Sequence, residues 1–236
     1  MRNPAPLLFV VILFISGSAA AADGYAGLGG GVSRADASSL EDGYASRSPA
    51  AFRTSSHSDG KDGAWKAFGG WQVHPLLALE LSYSDFGEQR FGYSATEPSG
   101  SIHFRSGVTA EARRRVTGWG LDAVGRWPLG NSFSWLGSLG ATRARVKLDS
   151  SGIRAAQVIG YPSTEPFRTG SAETNDWVAH VALGAEWLPA PKWALRFTYD
   201  YLGKAGSAFS TGAGEDDFRT GRSAQQSVFL AVARSF

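Results

Sequence analysis

The chain of 236 residues has no cysteine, so disulfides and thiolate metal sites are both excluded. Histidine is scarce: His57, His74, His103 and His180 are the four. No two of them stand at zinc-ligand spacing, and none sits in a His-x-Ser pair within a predicted strand. Charge of one sign is also missing. The net +2 lacks the concentrated basic excess of duplex binders, so no nucleic-acid partner is expected. Long apolar runs are absent apart from residues 7–15, a stretch too short to cross a bilayer as a helix. With a mean hydropathy of −0.16, the chain is too polar for a helical membrane protein.

What the sequence has instead begins at its amino terminus. Arg2, the apolar core from Leu7 to Ile15 and the small residues from Ser16 to Ala22 describe a cleavable secretory signal peptide over residues 1–22. Cleavage is expected before Ala21 or Asp23, and no cysteine follows to carry a lipid anchor. Residues 23–236 then form one domain. Losing Arg2 lowers the net charge from +2 to +1.

Eight strands are predicted in that domain, at about 24–33, 63–73, 77–85, 116–127, 133–147, 175–187, 192–201 and 224–236. Most are near the roughly 9–11 residues that a tilted strand needs to cross a membrane. Alternation of period two is clearest in four of them. Leu77, Leu79, Leu81 and Tyr83 share one face opposite Glu80, and Trp119, Leu121, Ala123 and Trp127 oppose Asp122 and Arg126. Likewise Trp177, Val181, Leu183 and Trp187 oppose His180 and Glu186, and Trp193, Leu195, Phe197 and Tyr199 oppose Arg196 and Asp200. A soluble sandwich also alternates. It has no need, however, for tryptophan at both strand ends, whereas all eight tryptophans here fall on the apolar register. That pattern predicts two aromatic girdles and an all-β fold: an eight-stranded antiparallel up-and-down transmembrane β-barrel in a bacterial outer membrane.

Connection lengths set the expected topology. Tight turns near His74 and Pro75, from Pro128 to Ser132 and from Leu188 to Pro191 are predicted on the periplasmic side, with both mature termini. Segments 34–62, 86–115, 148–174 and 202–223, rich in Ser, Gly, Asp and Pro, are predicted as external loops. The last strand alternates through Val228, Leu230 and Val232 to a terminal Phe236. It is similar to the signal by which the barrel-assembly machinery recognises its clients. Arg234 departs from the apolar set and is expected to snorkel.

The run from Lys66 to Gly87 combines a Gly69-Gly70-Trp71 step, a tight turn, Glu80 after an apolar residue and an Asp85-Phe86-Gly87 exit. It resembles the second and third strands of the OmpA-like eight-stranded outer-membrane β-barrel family. The Gly-rich opening from Tyr25 to Gly31 and the closing strand also fit. The resemblance covers the barrel in strand order, with no peptidoglycan-binding domain after it. It implies a small structural barrel, sometimes an adhesin, a host-contact surface or a weak channel, and not one reaction.

An eight-stranded barrel encloses room for little beyond its own side chains. Lys66, Glu80, Asp122, Arg126, Glu186, Arg196 and Asp200 are expected to point inward and pair as a charged plug. A narrow channel is the alternative, and a lipid A-modifying enzyme a more distant one, because no nucleophile–base–acid constellation is present. No catalytic, metal or cofactor site is predicted. Asp59 to Asp62 and Glu215 to Asp217 offer oxygen ligands for weak calcium binding, or simply solvated loop charges. Gly27 to Gly31 lack the following helix of a phosphate cradle, and close strand packing accounts for them. Two basic clusters remain: Arg113, Arg114 and Arg115, and Arg143, Arg145 and Lys147. They are expected to meet on one edge, where guanidinium forks suit the phosphates of lipopolysaccharide. The expected protein is thus a monomeric outer-membrane barrel with a structural or surface-interaction role, in contact with outer-membrane lipid and lipopolysaccharide.

Overall fold

A computed structural model describes residues 24–35, 53–96, 104–158, 161–206 and 223–236. The predicted signal peptide lies outside the described residues. Nine strands appear among the described residues: β1 (Gly24–Ala35), β2 (Arg53–Asp59), β3 (Lys61–His74), β4 (Leu77–Thr96), β5 (Phe104–Pro128), β6 (Phe133–Val158), β7 (Tyr161–Ala190), β8 (Trp193–Ala205) and β9 (Ser223–Ser235). β2 and β3 both pair with β4 and are separated only by Gly60, so they form two lengths of one stave. Every neighbouring pair is antiparallel, β1 pairs with β9, and β4 pairs with β5 to shut the ring. The result is the eight-stave closed barrel that the alternation predicts; beyond the ring, among the described residues, β2 pairs only with β4 and β7 above His180 only with β6.

All three tight turns fall where the Pro and Gly residues placed them, at the end of the barrel that carries both described termini. In one of them, Lys192 follows Pro191 with φ of 69°. Proline presets the first turn position, and the positive φ at the second suits glycine. Lys192→Gly is therefore expected to stabilise the barrel by about 1 kcal/mol, read as a higher urea midpoint in lipid vesicles.

The other end departs from expectation. Segments 86–115 and 148–174, predicted as loops, are mostly strand. β5, β6 and β7 run for 25, 26 and 30 residues, and β5–β6 stay in unbroken register from Phe104↔Val158 to Pro128↔Ser134. The reason is a change of chemistry without a change of parity. From Trp119 to Trp127 on β5 the outward residues are apolar and Asp122 points in. Beyond Trp119 the outward residues are Glu111, Arg113 and Arg115, while Ala112 and Val116 point in. β6 repeats the inversion, with Leu139 outward below and Arg145, Lys147 and Asp149 outward above, opposite inward Ala144, Val146 and Leu148. Charged residues outside and a largely apolar cluster inside reverse, in the upper wall, the pattern of the band below. The polar outward set of the upper wall is easily read as loop composition.

Seven of the eight tryptophans are exposed on the outer wall, and Trp65 is half-buried there. Trp71, Trp127, Trp135, Trp187 and Trp193 mark one level. Trp65, Tyr83, Trp119 and Trp177 mark the other, with ring centroids 5.4 Å apart for Trp65–Tyr83 and 4.9 Å for Tyr83–Trp119. The ten-residue step from Trp177 to Trp187 is about 33 Å of strand, which at the usual tilt matches an apolar band about 25 Å tall. Arg234 points outward with its guanidinium 5.6 Å from the centre of the Trp193 ring, so a cation–π contact accompanies the snorkelling predicted for it.

Candidate functional site

The inward parity of β3, β4, β5, β7 and β8 brings all seven predicted lumen charges together. Arg126 Nη2 lies 3.0 Å from Glu186 Oε1. Arg196 donates from Nε to Glu186 Oε2 at 2.6 Å and from Nη1 to Glu80 Oε2 at 2.8 Å. Lys66 Nζ stands 3.9 Å from Glu80 Oε1 and donates to Asp200 Oδ2 at 3.1 Å. Asp122 joins through a residue that the sequence marked as inward but gave no role. His180 places Nδ1 2.7 Å from Asp122 Oδ1 and Nε2 3.3 Å from Asp200 Oδ2. The network is one unbroken chain, Arg126–Glu186–Arg196–Glu80–Lys66–Asp200–His180–Asp122. An imidazole can donate to both carboxylates only when it carries two protons. Four cations then face four carboxylates.

Two aromatic residues missing from the predicted set brace the network. Tyr25 donates its hydroxyl to Glu80 Oε2 at 3.0 Å. The Arg196 guanidinium lies 4.5 Å from the centre of the Tyr25 ring and 5.0 Å from that of Phe68. Glycine makes room for both rings. A Cβ on Gly70 would lie 2.4 Å from Tyr25 Cζ, and one on Gly27 would lie 2.3 Å from Phe68 Cζ. The Gly-rich start of β1 therefore serves ring packing as well as close strand approach, which Gly31 shows against the Val228 carbonyl.

Apolar residues flank the charged chain, with Arg126, its side chain 28% exposed, reaching water at the terminal end. Toward the termini lie Tyr25, Phe68, Ala78, Val124, Leu136, Ala194, Ala231 and Ala233. Toward the long hairpins lies a larger apolar cluster that includes Phe86, Phe91, Val116, Val146, Leu148, Leu202 and Phe229, none more than 6% exposed. Burying so many charges is tolerable because each has a partner.

The second predicted site needs correction. Arg113, Arg115, Arg143, Arg145 and Lys147 are exposed on the outer wall, but Arg114 is not among them. It shares the inward parity of Asp122, is 2% exposed, and donates to Gln89 Oε1 at 3.3 Å and to the Ala205 carbonyl at 3.2 Å. A continuous strand cannot present three consecutive residues on one face. The clusters also do not meet at one height: Lys147 stands opposite Arg115, Arg145 opposite Thr117 and Arg143 opposite Trp119. Acids already engage several of these cations. Glu173 takes a two-pronged bond from Arg145 at 2.6 and 2.8 Å and lies 3.9 Å from Lys147. The Arg145 fork, through hydrogen bonding and then charge, holds the Glu173 carboxyl below its ordinary value. Arg115 donates to Asp85.

The oxygen-ligand candidates fare differently. Asp62 lies within β3 rather than a loop and spends its carboxylate on the Gly63 and Glu88 amides, at 2.7 and 2.6 Å. The Gly87 bulge, with φ of 79°, brings the Glu88 amide there. Glu215 to Asp217 and His103 lie outside the described residues, and His57 belongs to β2.

The family described as "Outer membrane protein beta-barrel domain" matches residues 7–228. No curated protein matches the chain. Among solved structures, Neisserial surface protein A is similar at 10% identity and a TM-score of 0.48, covering 90% of this chain and 97% of that one. The outer membrane protein OprG of Pseudomonas aeruginosa is similar at 11% identity and 0.44, covering 91% and 96%. Ail, the attachment invasion locus protein of Yersinia pestis, is similar at 12% and 0.37, covering 91% and 99%.

Proposed function

This chain belongs to the outer membrane protein beta-barrel domain family, and from that premise we propose that it is a plugged, monomeric barrel with a structural and surface-contact role and no catalytic one. The observation that carries this reading is the layered lumen. An ion moving along the axis from the long hairpins meets a packed apolar cluster and then a network in which every charge has a partner. Stripping its hydration shell in the apolar cluster is prohibitive. The family supports an outer-membrane location. In the orientation we propose, the tight turns and both mature termini face the periplasm and the long hairpins face outward. Residues 1–22 act as the removed signal peptide, and β9 with the Phe236 that follows it is read by the barrel-assembly machinery.

Planar-bilayer recording tests the plug. The purified barrel is expected to give no step currents. Resolved currents would establish the narrow-channel reading instead. An altered lipid A mass in a strain lacking the protein would point to the enzyme.

A further inference from the structure

Beyond the Trp119–Trp177 level, the outward residues of β4, β5 and β6 form a ladder. On its lowest rung, Arg143 lies in register between Trp119 of β5 and Trp177 of β7. Two residues higher on β6 comes Arg145, and two higher again Lys147 faces Arg115. On the top rung Arg113 stands directly opposite Arg90 of β4. Like charges directly opposite on neighbouring strands are destabilising, and this wall holds two such pairs. The middle rungs are offset by acids: Glu173 serves Arg145 and Lys147, and Asp85 serves Arg115. At the ends the balance differs. Among the described residues Arg143 and Arg113 form no ion pair, although Asp149 of β6 stands opposite Arg113, and Arg90 has Glu88 of its own strand, at 3.2 Å.

We infer that this flank docks a phosphorylated glycolipid of the outer leaflet, held at two heights: near the membrane surface by Arg143 and farther out by Arg113 with Arg90. The inference rests on the outward orientation of the long hairpins proposed above. Bottom and top rungs are six residues apart, about 20 Å of strand, or about 15 Å of height at the usual tilt. A glycerophospholipid carries its phosphate at one depth and meets only the lowest rung. A glycolipid whose sugar headgroup rises from the membrane with phosphates at successive levels meets both. The guanidinium fork gives each phosphate two parallel charge-assisted bonds. The indoles beside Arg143 belong at headgroup depth, which puts the lowest rung level with the first phosphates.

The test uses the whole barrel in detergent. Retained lipopolysaccharide is measured for the parent protein, for the double variant Arg143→Gln with Arg113→Gln, and for Glu173→Gln. The double variant is expected to lose about tenfold or more in affinity. Glu173→Gln is expected to gain, because it frees Arg145 and Lys147. Dephosphorylated lipopolysaccharide should bind the parent and double variant alike. Heat-modifiable migration on a gel confirms that each variant is folded. Unchanged retention in the double variant, or no gain in Glu173→Gln, overturns the inference. Equal binding, with equal loss, on vesicles containing phosphatidylglycerol overturns the choice of a glycolipid. Orientation is read separately. The chain has no cysteine, so Ser151→Cys on β6 provides a single thiol. Labelling of intact cells by an impermeant maleimide supports the outward orientation, and labelling only after lysis refutes it whatever the lipid result.

Discussion

Replacing Arg196 with methionine is expected to cost the barrel about 3–5 kcal/mol, because it leaves buried carboxylates without their shared cation. Arg196 is the centre of the lumen chain. It is 4% exposed, bonds both Glu186 and Glu80, and lies against the Tyr25 and Phe68 rings. Methionine keeps much of the packing against those rings and deletes the charge. Urea unfolding in lipid vesicles, followed by tryptophan fluorescence and by heat-modifiable migration, measures the loss. A second variant separates charge from packing. With Glu80→Gln and Glu186→Gln added to Arg196→Met, most of the stability should return, since a neutral replacement of a buried ion network is close to isoenergetic. Lys66 keeps Asp200 as its partner in that variant. Arg126, with its side chain 28% exposed, reaches water. No recovery in the triple variant would mean that Arg196 acts by shape and not by charge.

Gly140→Ala, on β6, is expected to be as damaging. A Cβ there would lie 2.1 Å from the Leu121 carbonyl, 2.3 Å from Asp122 Oδ1 and 2.7 Å from Asp122 Cα. Two of those atoms are backbone, so no rotamer change relieves the clash. The third is the carboxylate oxygen that His180 holds at 2.7 Å. Overpacking alone costs roughly 1–3 kcal/mol, and displacing Asp122 from His180 adds the loss of a buried charge contact. The total should reach at least about 3 kcal/mol, with little folded barrel recovered in the same urea assay. Gly30→Ala is the matched control. Nothing lies within 4 Å of its added Cβ, and a change within about 0.5 kcal/mol is expected. Equal behaviour of the two alanines would show that glycine content, rather than the seat of Asp122, is what matters.

The sequence carried the lumen well, because strand parity is a strict rule. Once Trp119, Leu121 and Trp127 are outward, Asp122 must point in, and the same count places Glu80, Glu186, Arg196 and Asp200. His180 was placed inward by that count. Its partners were hidden because Asp122 and Asp200 lie on other strands, and their meeting depends on register. Tyr25 and Phe68 were obscured by the glycines around them, whose use becomes visible only when a ring is seen lying over a missing Cβ. Arg114 misleads for the reverse reason. Three adjacent arginines read as one cluster, although alternation divides them between two faces. The long hairpins resemble loops in sequence because polar composition also marks irregular chain. Carrying the parity past Trp119 shows Ala112 and Val116 on the inward side and charge on the outward side, a strand pattern with its chemistry reversed.

That reversal fixes the draught of the barrel. If it sank by one rung, Arg143 and Arg145 would move toward the acyl chains, at about 2–4 kcal/mol for each charge that reached the midplane and less near the surface. If it rose by one rung, Leu121, Leu139 and Leu183 would move toward water, and the lower indoles would leave the interface they favour. Neither displacement needs a covalent tether to resist it, because both stave surfaces change character at the same latitude. Vertical position, like strand pairing, is thus written into the alternation itself.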